Sequence, residues 1–164
     1  MPILRDDLLA GRTVAGNVTG ELRDVLASLG ATLEEPSEAT EALVHDARDA
    51  FGDGGPAALQ AALEATWEAV AEAANTALIP SGRGGKIILI APEDAAGIHA
   101  EPARAAVENL ARTLSTEWAR YGITTTAVTP RAGTNEADLA MVVAFLLSGA
   151  GDYYSGSRFE LGPR

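Results

Sequence analysis

A doubly wound α/β domain is what this sequence predicts, and three observations carry the prediction. Lys86 to Ile90 is a short, almost wholly apolar run, as a strand buried on both faces of a parallel sheet requires. Between Glu101 and Arg120, the residues Val107, Leu110, Ala111, Leu114 and Trp118 recur at helical spacing and give the segment one apolar side. Gly122 ends that helix, and Ile123 to Val128 returns as a β-branched strand. Strand, helix and strand with short connections form the right-handed parallel crossover unit.

The other elements follow in chain order. Arg12 to Ala15 reads as a short strand after the turn at Gly11, and Gly16, Asn17 and Gly20 form a loop. Glu21 to Leu29, with Leu22, Val25, Leu26 and Leu29 apolar, reads as a helix closed by Gly30. Ala31 to Leu33 is a weak second strand stopped by Glu34, Glu35 and Pro36, and Ala42 to His45 is a third. Phe51 to Pro56 reads as a loop, with Pro56 where a helix begins. Leu59, Leu63, Trp67, Val70 and Ala74 carry a second long helix to about Ile79. After the loop from Pro130 to Thr134, a helix runs from about Glu136 to Leu147. The last strand is Arg158 to Leu161, before the tail Gly162-Pro-Arg.

Composition narrows the function classes. The 164 residues suit one domain with a single core, spanning 1–164, and 47% hydrophobic with 21% charged residues suits a globular chain. Acidic side chains outnumber basic ones 23 to 12, for a formal net charge of −11. Such a surface repels phosphate backbones and anionic lipids, so nucleic acid and membrane are not expected partners. Without cysteine there is neither a disulfide framework nor a thiolate metal site. No apolar leader or membrane-length run is present, and a cytoplasmic location is expected.

Several phrases then fall in a familiar order. Arg104-Ala-Ala-Val-Glu-Asn-Leu is followed by Glu117-Trp-Ala-Arg-Tyr-Gly-Ile and by Ala127-Val-Thr-Pro. Together they resemble the short-chain dehydrogenase/reductase family, whose text there is K-A-A-V-x-x-L, E-L-A-x-x-G-I and V-x-P-G. Gly85-Lys-Ile-Ile-Leu-Ile, Ala42-Leu-Val, Val143-Ala-Phe-Leu-Leu-Ser and Tyr154-Ser-Gly extend the likeness from about Leu43 to Gly162, and it continues faintly over Gly11 to Leu33. The resemblance implies a Rossmann-like, three-layer, doubly wound parallel sheet and NAD(P)-linked oxidoreductase chemistry.

That chemistry needs a phenol to move a proton and a lysine one helical turn on to lower its pKa and hold a ribose. By the resemblance, the tyrosine position is Ala100 and the lysine position is Arg104. A methyl group transfers no proton, and arginine does not replace lysine simply. The serine position falls near Ala91 and Pro92, and the helix asparagine near Trp67. No catalytic residue is therefore expected. The phosphate-binding turn is equally altered. Val18-Thr19-Gly20 matches its opening, but later glycines are missing and Glu21 would face the phosphates. Gly16, Thr19 and Gly20 are what remains of the cofactor loop, and no cofactor is expected. The family's N-N-A-G stands as His45-Asp46-Ala47-Arg48.

Two segments are also missing. About ten residues separate the second strand from Ala42, too few for the usual helix, strand and helix, so the sheet is expected to be shortened at one edge. Such a crossover is tight for parallel strands. Where the family carries a substrate-covering loop, only Arg131 to Asn135 stand.

The remaining polar residues have plain readings. His99 neighbours the tyrosine position and could serve as a replacement acid, its plainer reading being a loop histidine before a helix; His45 and Asp46 point to opposite faces of a strand, so neither a dyad nor a metal site is expected of them. Glu64, Glu68 and Glu72 form a solvated helix stripe, and Glu34 or Glu35 a solvated strand end. Trp67 and Trp118 are core or interface anchors. The two long helices correspond to those with which family members build a four-helix interface, and Glu136 to Leu161 to their second dimer contact. Leu59, Leu63, Trp67, Val70, Ala103, Ala106, Val107, Leu110, Ala111, Leu114 and Trp118 are the expected interface residues. The sequence thus points to a silent subunit that pairs with itself, as a homodimer, or with an active full-length homologue. The alternatives are an unorthodox oxidoreductase that binds NAD(P) and uses His99 or a partner's residues, and a scaffold resembling the truncated half of a ketoreductase.

Overall fold

The computed structural model describes residues 4–52 and 54–163, so the loop expectation at Asp53 and the tail at Arg164 lie outside the described residues. Six strands form one all-parallel sheet: β1 (Thr13–Gly16), β2 (Thr32–Glu34), β3 (Ala42–Asp46), β4 (Gly85–Ile90), β5 (Ile123–Pro130) and β6 (Arg158–Leu161). Their spatial order is β2-β1-β3-β4-β5-β6. Helices α1 (Gly20–Ser28) and α6 (Glu136–Leu147) cover one face; α3 (Pro56–Ala73) and α5 (Ala100–Glu117) cover the other.

Alternation along the strands builds this three-layer core. Ile88 and Ile90 of β4 and Val44 of β3 pack beneath Leu22, Leu26, Leu139 and Val143. Ile87, Leu89 and Leu43 point the other way, onto Val70, Val107, Ala111 and Leu114. The doubly wound α/β class is therefore what the sequence folds into.

The short crossover from β2 to β3 is parallel after all, and the register explains how. Glu34 lies level with Ala15, whereas Ala42 lies level with Val14. The chain descends by one residue and crosses two strand spacings, roughly 10 Å, which seven residues span without a helix. Ser37 and Thr40 shape that return: Ser37 N–H donates to Thr40 Oγ1 at 3.0 Å, and Ser37 Oγ donates to Glu34 Oε1 at 2.6 Å. Glu34 therefore holds its own turn. β2 itself begins one residue later than expected, at Thr32.

Two further differences bear on the site. The chain after β3 forms a single helical turn, α2 (Arg48–Phe51), where a loop was expected from Phe51. Phe51 is buried beside Ala62, Ala100 and Ala103, and that burial fixes the turn. The second long helix widens into a π turn at Ala74–Leu78 before the short α4 (Ile79–Ser81). Nearby, the Asn75 and Thr76 side chains donate to the carbonyls of Ala71 and Glu72, a contact that loosens regular helix. No helix among the described residues is long and apolar enough to cross a membrane.

Candidate functional site

In open parallel sheets, ligands are placed at the carboxyl ends of the strands. Here that edge is formed by the loop after β1, the start of α2, Ala91 and Pro92 after β4, the end of β5 and the N-terminus of α6. Two arginines dominate it.

Arg104 lies on the inner side of α5 and is 7% exposed. Its Nη1 donates to the carbonyl oxygen of Pro92 at 2.8 Å and to that of Pro130. Its Nε lies 3.3 Å from Glu101 Oε1. The guanidinium thus ties together the chain just beyond β4 and the last residue of β5. It occupies the lysine position of the resemblance, with Nη1 held by two backbone carbonyls and Nε beside the Glu101 carboxylate. One turn earlier, Ala100 is buried against Phe51, Ala62 and Ala103. Ala91 is fully buried. Neither position offers a polar group or room for one.

Arg48 is the second. Its Nη1 and Nη2 donate to Glu136 Oε2 and Oε1 at 2.9 and 2.7 Å, a parallel fork onto the first turn of α6. Nε reaches both oxygens of Asp46 at 3.0 Å, and Nη2 donates to Asp46 Oδ2 at 2.6 Å. The Glu136 hydrogen bond, ahead of every other influence, raises the Arg48 pKa further, and the same bond holds the Glu136 carboxyl below its ordinary value. Arg48 stands where the resemblance has a glycine, and it places a bulky, doubly paired cation there.

The loop after β1 is equally self-contained. Gly16 has φ 139°, and a Cβ there would lie 1.8 Å from the Val44 carbonyl oxygen, so only glycine fits. Asn17 clasps the end of β3: Asp46 N–H donates to Oδ1, and Nδ2 donates to the Asp46 carbonyl, both at 2.7 Å. Val18 is buried. Thr19 is the residue before α1, and its side chain makes no capping bond. Gly20 has φ 53°, and Glu21 occupies the first turn of α1, where an anion would meet like charge.

The other predicted residues fall as follows. His45 and Asp46 do face apart, and His45 is buried with Nε2 lacking any partner. Burial lowers its pKa, with Asp46 opposing. His99 precedes α5 and makes no capping bond. Trp67 is 51% exposed, so it is not a core residue; the inward polar group on that turn is Thr66, whose Oγ1 donates to the Ala62 carbonyl at 2.6 Å. The interface set divides. Val70, Val107, Ala111 and Leu114 pack on this chain's own sheet and Ala103 beside Phe51 and Ala62; each is at most 5% exposed, and they are withdrawn as contacts for another subunit. Leu59, Leu63, Ala106, Leu110 and Trp118 stay partly open. On the opposite flank, Leu4, Met141, Val142, Phe145, Phe159 and Leu161 line an apolar groove of about 340 Å³. Sequence reasoning missed the roles of Arg48 and Asn17, although an arginine in a glycine position was the visible signal.

No family model and no curated protein matches the sequence. Solved structures match the fold along nearly its full length. A citronellol catabolism dehydrogenase from Pseudomonas aeruginosa PAO1 aligns with TM-score 0.76 and 19% identity over 98% of this chain and 97% of that one. A short chain dehydrogenase from Mycobacterium smegmatis aligns with TM-score 0.71 and 18% identity over 94% and 92%. A putative 2-deoxy-D-gluconate 3-dehydrogenase from Agrobacterium tumefaciens, described with NADP bound, aligns with TM-score 0.68 and 16% identity over 96% and 97%. The chain therefore has the Rossmann-like fold of the short-chain dehydrogenases.

Proposed function

We propose that this protein is a catalytically silent, short-chain-dehydrogenase-like subunit that pairs with itself or with an active homologue. The observation that carries the reading is the pair Arg48 and Arg104, each buried or half-buried and hydrogen-bonded to this chain's own groups. A site built to receive a ligand keeps donors free for it. Here Arg48 Nε, Nη1 and Nη2 and Arg104 Nη1 are already taken up by the chain itself.

A dinucleotide does not fit these residues. Gly16 presses on the Val44 carbonyl, Asn17 clasps Asp46, Arg48 fills the glycine position, and Glu21 opposes a pyrophosphate at the start of α1. Nor does the usual proton transfer fit, since Ala100 and Ala91 carry no titratable group and only the residues between Pro130 and Glu136 follow β5. A carbonyl reduction finds no acid at these two positions to polarise its Michaelis complex.

Pairing is supported by what remains open. Trp67, with Leu59, Leu63, Ala106 and Leu110, offers a partner one large anchor among partly exposed apolar groups. Two such helix pairs facing each other would give a two-fold four-helix contact. A stable contact of this kind buries on the order of 1,600 Å². Sedimentation of the chain alone, then with a full-length homologue, tests the reading. A dimer or mixed complex, dissociated by Trp67→Ala, is expected. A monomer in both experiments would overturn pairing, and carbonyl reduction by the purified chain would favour the NAD(P)-dependent alternative.

A further inference from the structure

Most arginines in this protein find a carboxylate. Arg5, Arg48, Arg104, Arg112, Arg131 and Arg158 each do so. Among the described residues, Arg12, Arg23, Arg83 and Arg120 form no ion pair, and three of these four gather at one place. Arg12 immediately precedes β1, Arg83 lies in the turn before β4, and Arg120 lies in the single 3-10 turn before β5. All three stand at the amino-terminal edge of the sheet, opposite the edge described above. In a chain with 23 acidic and 12 basic side chains, gathering like charges without partners is unfavourable unless something anionic joins them.

The shape agrees with the charge. Arg12, Arg83, Lys86, Gly122, Thr124 and Asp152 line a hollow of about 330 Å³. Arg83 also walls an adjoining hollow of about 370 Å³ that holds Arg120 and Tyr121. The Arg120 guanidinium lies 4.7 Å from the centre of the Tyr121 ring, so it sits over that ring instead of a carboxylate. Lys86 is 4% exposed, and its ammonium meets one carboxylate, Asp152, whose side chain is 59% exposed. Glu41, at the start of β3, is engaged by the backbone: Thr13 N–H donates to its Oε2 at 3.0 Å. Glu38 shares a further hollow with Arg83. Between the hollows the backbone is bare. Gly84 and Gly122 both have positive φ, and a Cβ on Gly84 would lie 2.5 Å from the Gly122 carbonyl oxygen.

We propose that this amino-terminal edge binds a small phosphate-bearing anion, held by Arg12, Arg83 and Lys86, with Arg120 at the rim. Three cationic groups facing one carboxylate suit a doubly charged oxyanion. Arginine forks and a lysine ammonium are the donors that bind phosphate. The hollow takes a phosphate group with a small organic portion and is too small for a dinucleotide. Asp152 then acts as a competitor, since it occupies Lys86 until the anion arrives. The proposal is independent of whether the carboxyl edge is silent.

Inorganic phosphate, pyrophosphate and glycerol 3-phosphate are titrated into the full chain at low salt while backbone amide resonances are followed. Saturable shifts confined to Gly82 to Lys86 and Gly122 to Thr124 are expected, with a dissociation constant of about 1 mM or tighter. Arg12→Ala and Arg83→Ala should each weaken binding roughly tenfold, the loss of one charge-assisted fork. Asp152→Asn should tighten it severalfold by freeing Lys86, and Arg23→Ala, away from this edge, should change nothing. Tighter binding of inorganic phosphate than of glycerol 3-phosphate assigns the free anion; the reverse assigns a phosphate monoester. Non-saturating shifts, equal losses from Arg23→Ala, or no gain from Asp152→Asn would overturn the proposal.

Discussion

Replacing Arg104 by alanine separates a structural arginine from a ligand-binding one. The side chain is 7% exposed and donates to two carbonyl oxygens, those of Pro92 and Pro130. Hydrogen bonds from a charged donor contribute about 1.5–3 kcal/mol each net of solvent. Alanine leaves both carbonyls without that donor, but it also relieves the cost of holding a guanidinium out of water. Glu101 adds little, because its side chain is 75% exposed. The balance is a loss of about 2–4 kcal/mol. Arg104→Lys should lose about 1–2 kcal/mol, since one ammonium reaches the two carbonyls less well than a planar fork. Urea unfolding at fixed protein concentration reads both, as a lower midpoint with unchanged slope. If Arg104 were instead waiting for an anion, its removal would leave stability unchanged or raise it. A loss below about 0.5 kcal/mol would refute the tether.

Other expectations follow from the same geometry. The Arg48 hydrogen bond depresses the Glu136 pKa below its reference value of 4.5, so the stability it contributes is present above that value and lost as pH falls through the folded value. Arg48→Ala should lower stability at neutral pH and flatten this acid-side loss, as read by unfolding midpoints across pH. Burial depresses His45 below its reference value of 6.5, so the fold loses stability as pH drops below 6.5, when the unfolded chain binds the proton first. His45→Leu should remove that dependence between about pH 7.5 and about pH 5.5. Trp67→Ala should weaken self-association by about tenfold or more, as loss of an aromatic anchor does. It should leave the unfolding midpoint of dilute protein nearly unchanged. Restoring Ala100→Tyr with Arg104→Lys should give no carbonyl reduction and should destabilise by about 2–5 kcal/mol, because Ala100 is already packed against Phe51 and the lysine holds the two carbonyls less well.

Much of this fold was legible because its signals are local and periodic. The apolar run of β4 and the helical spacing of α5 each specify an element without reference to the rest of the chain. β2 was harder, since three residues with one half-buried side chain carry little pattern, and its parallel pairing depends on a register visible only in three dimensions. The turn α2 was hidden because burial of Phe51 fixes it, and burial is not a local property. At the site, Ala100 and Ala91 were legible as residue types that carry no titratable group. The contacts that fill the carboxyl edge were not. Arg48 pairs with Glu136 across 88 positions, and Arg104 reaches carbonyls 12 and 26 positions away. The interface set was too broad for the same reason, as helical spacing marks an apolar side without saying how much of it the chain's own sheet consumes.

The most direct test of the central claim is calorimetric titration of the purified chain with NADH and NADPH. If Arg48, Asn17 and Arg104 fill the carboxyl edge with the protein's own groups, neither cofactor gives saturable heat below about 1 mM, where binding would still be worth about 4 kcal/mol. A micromolar dissociation constant for either one would contradict the account.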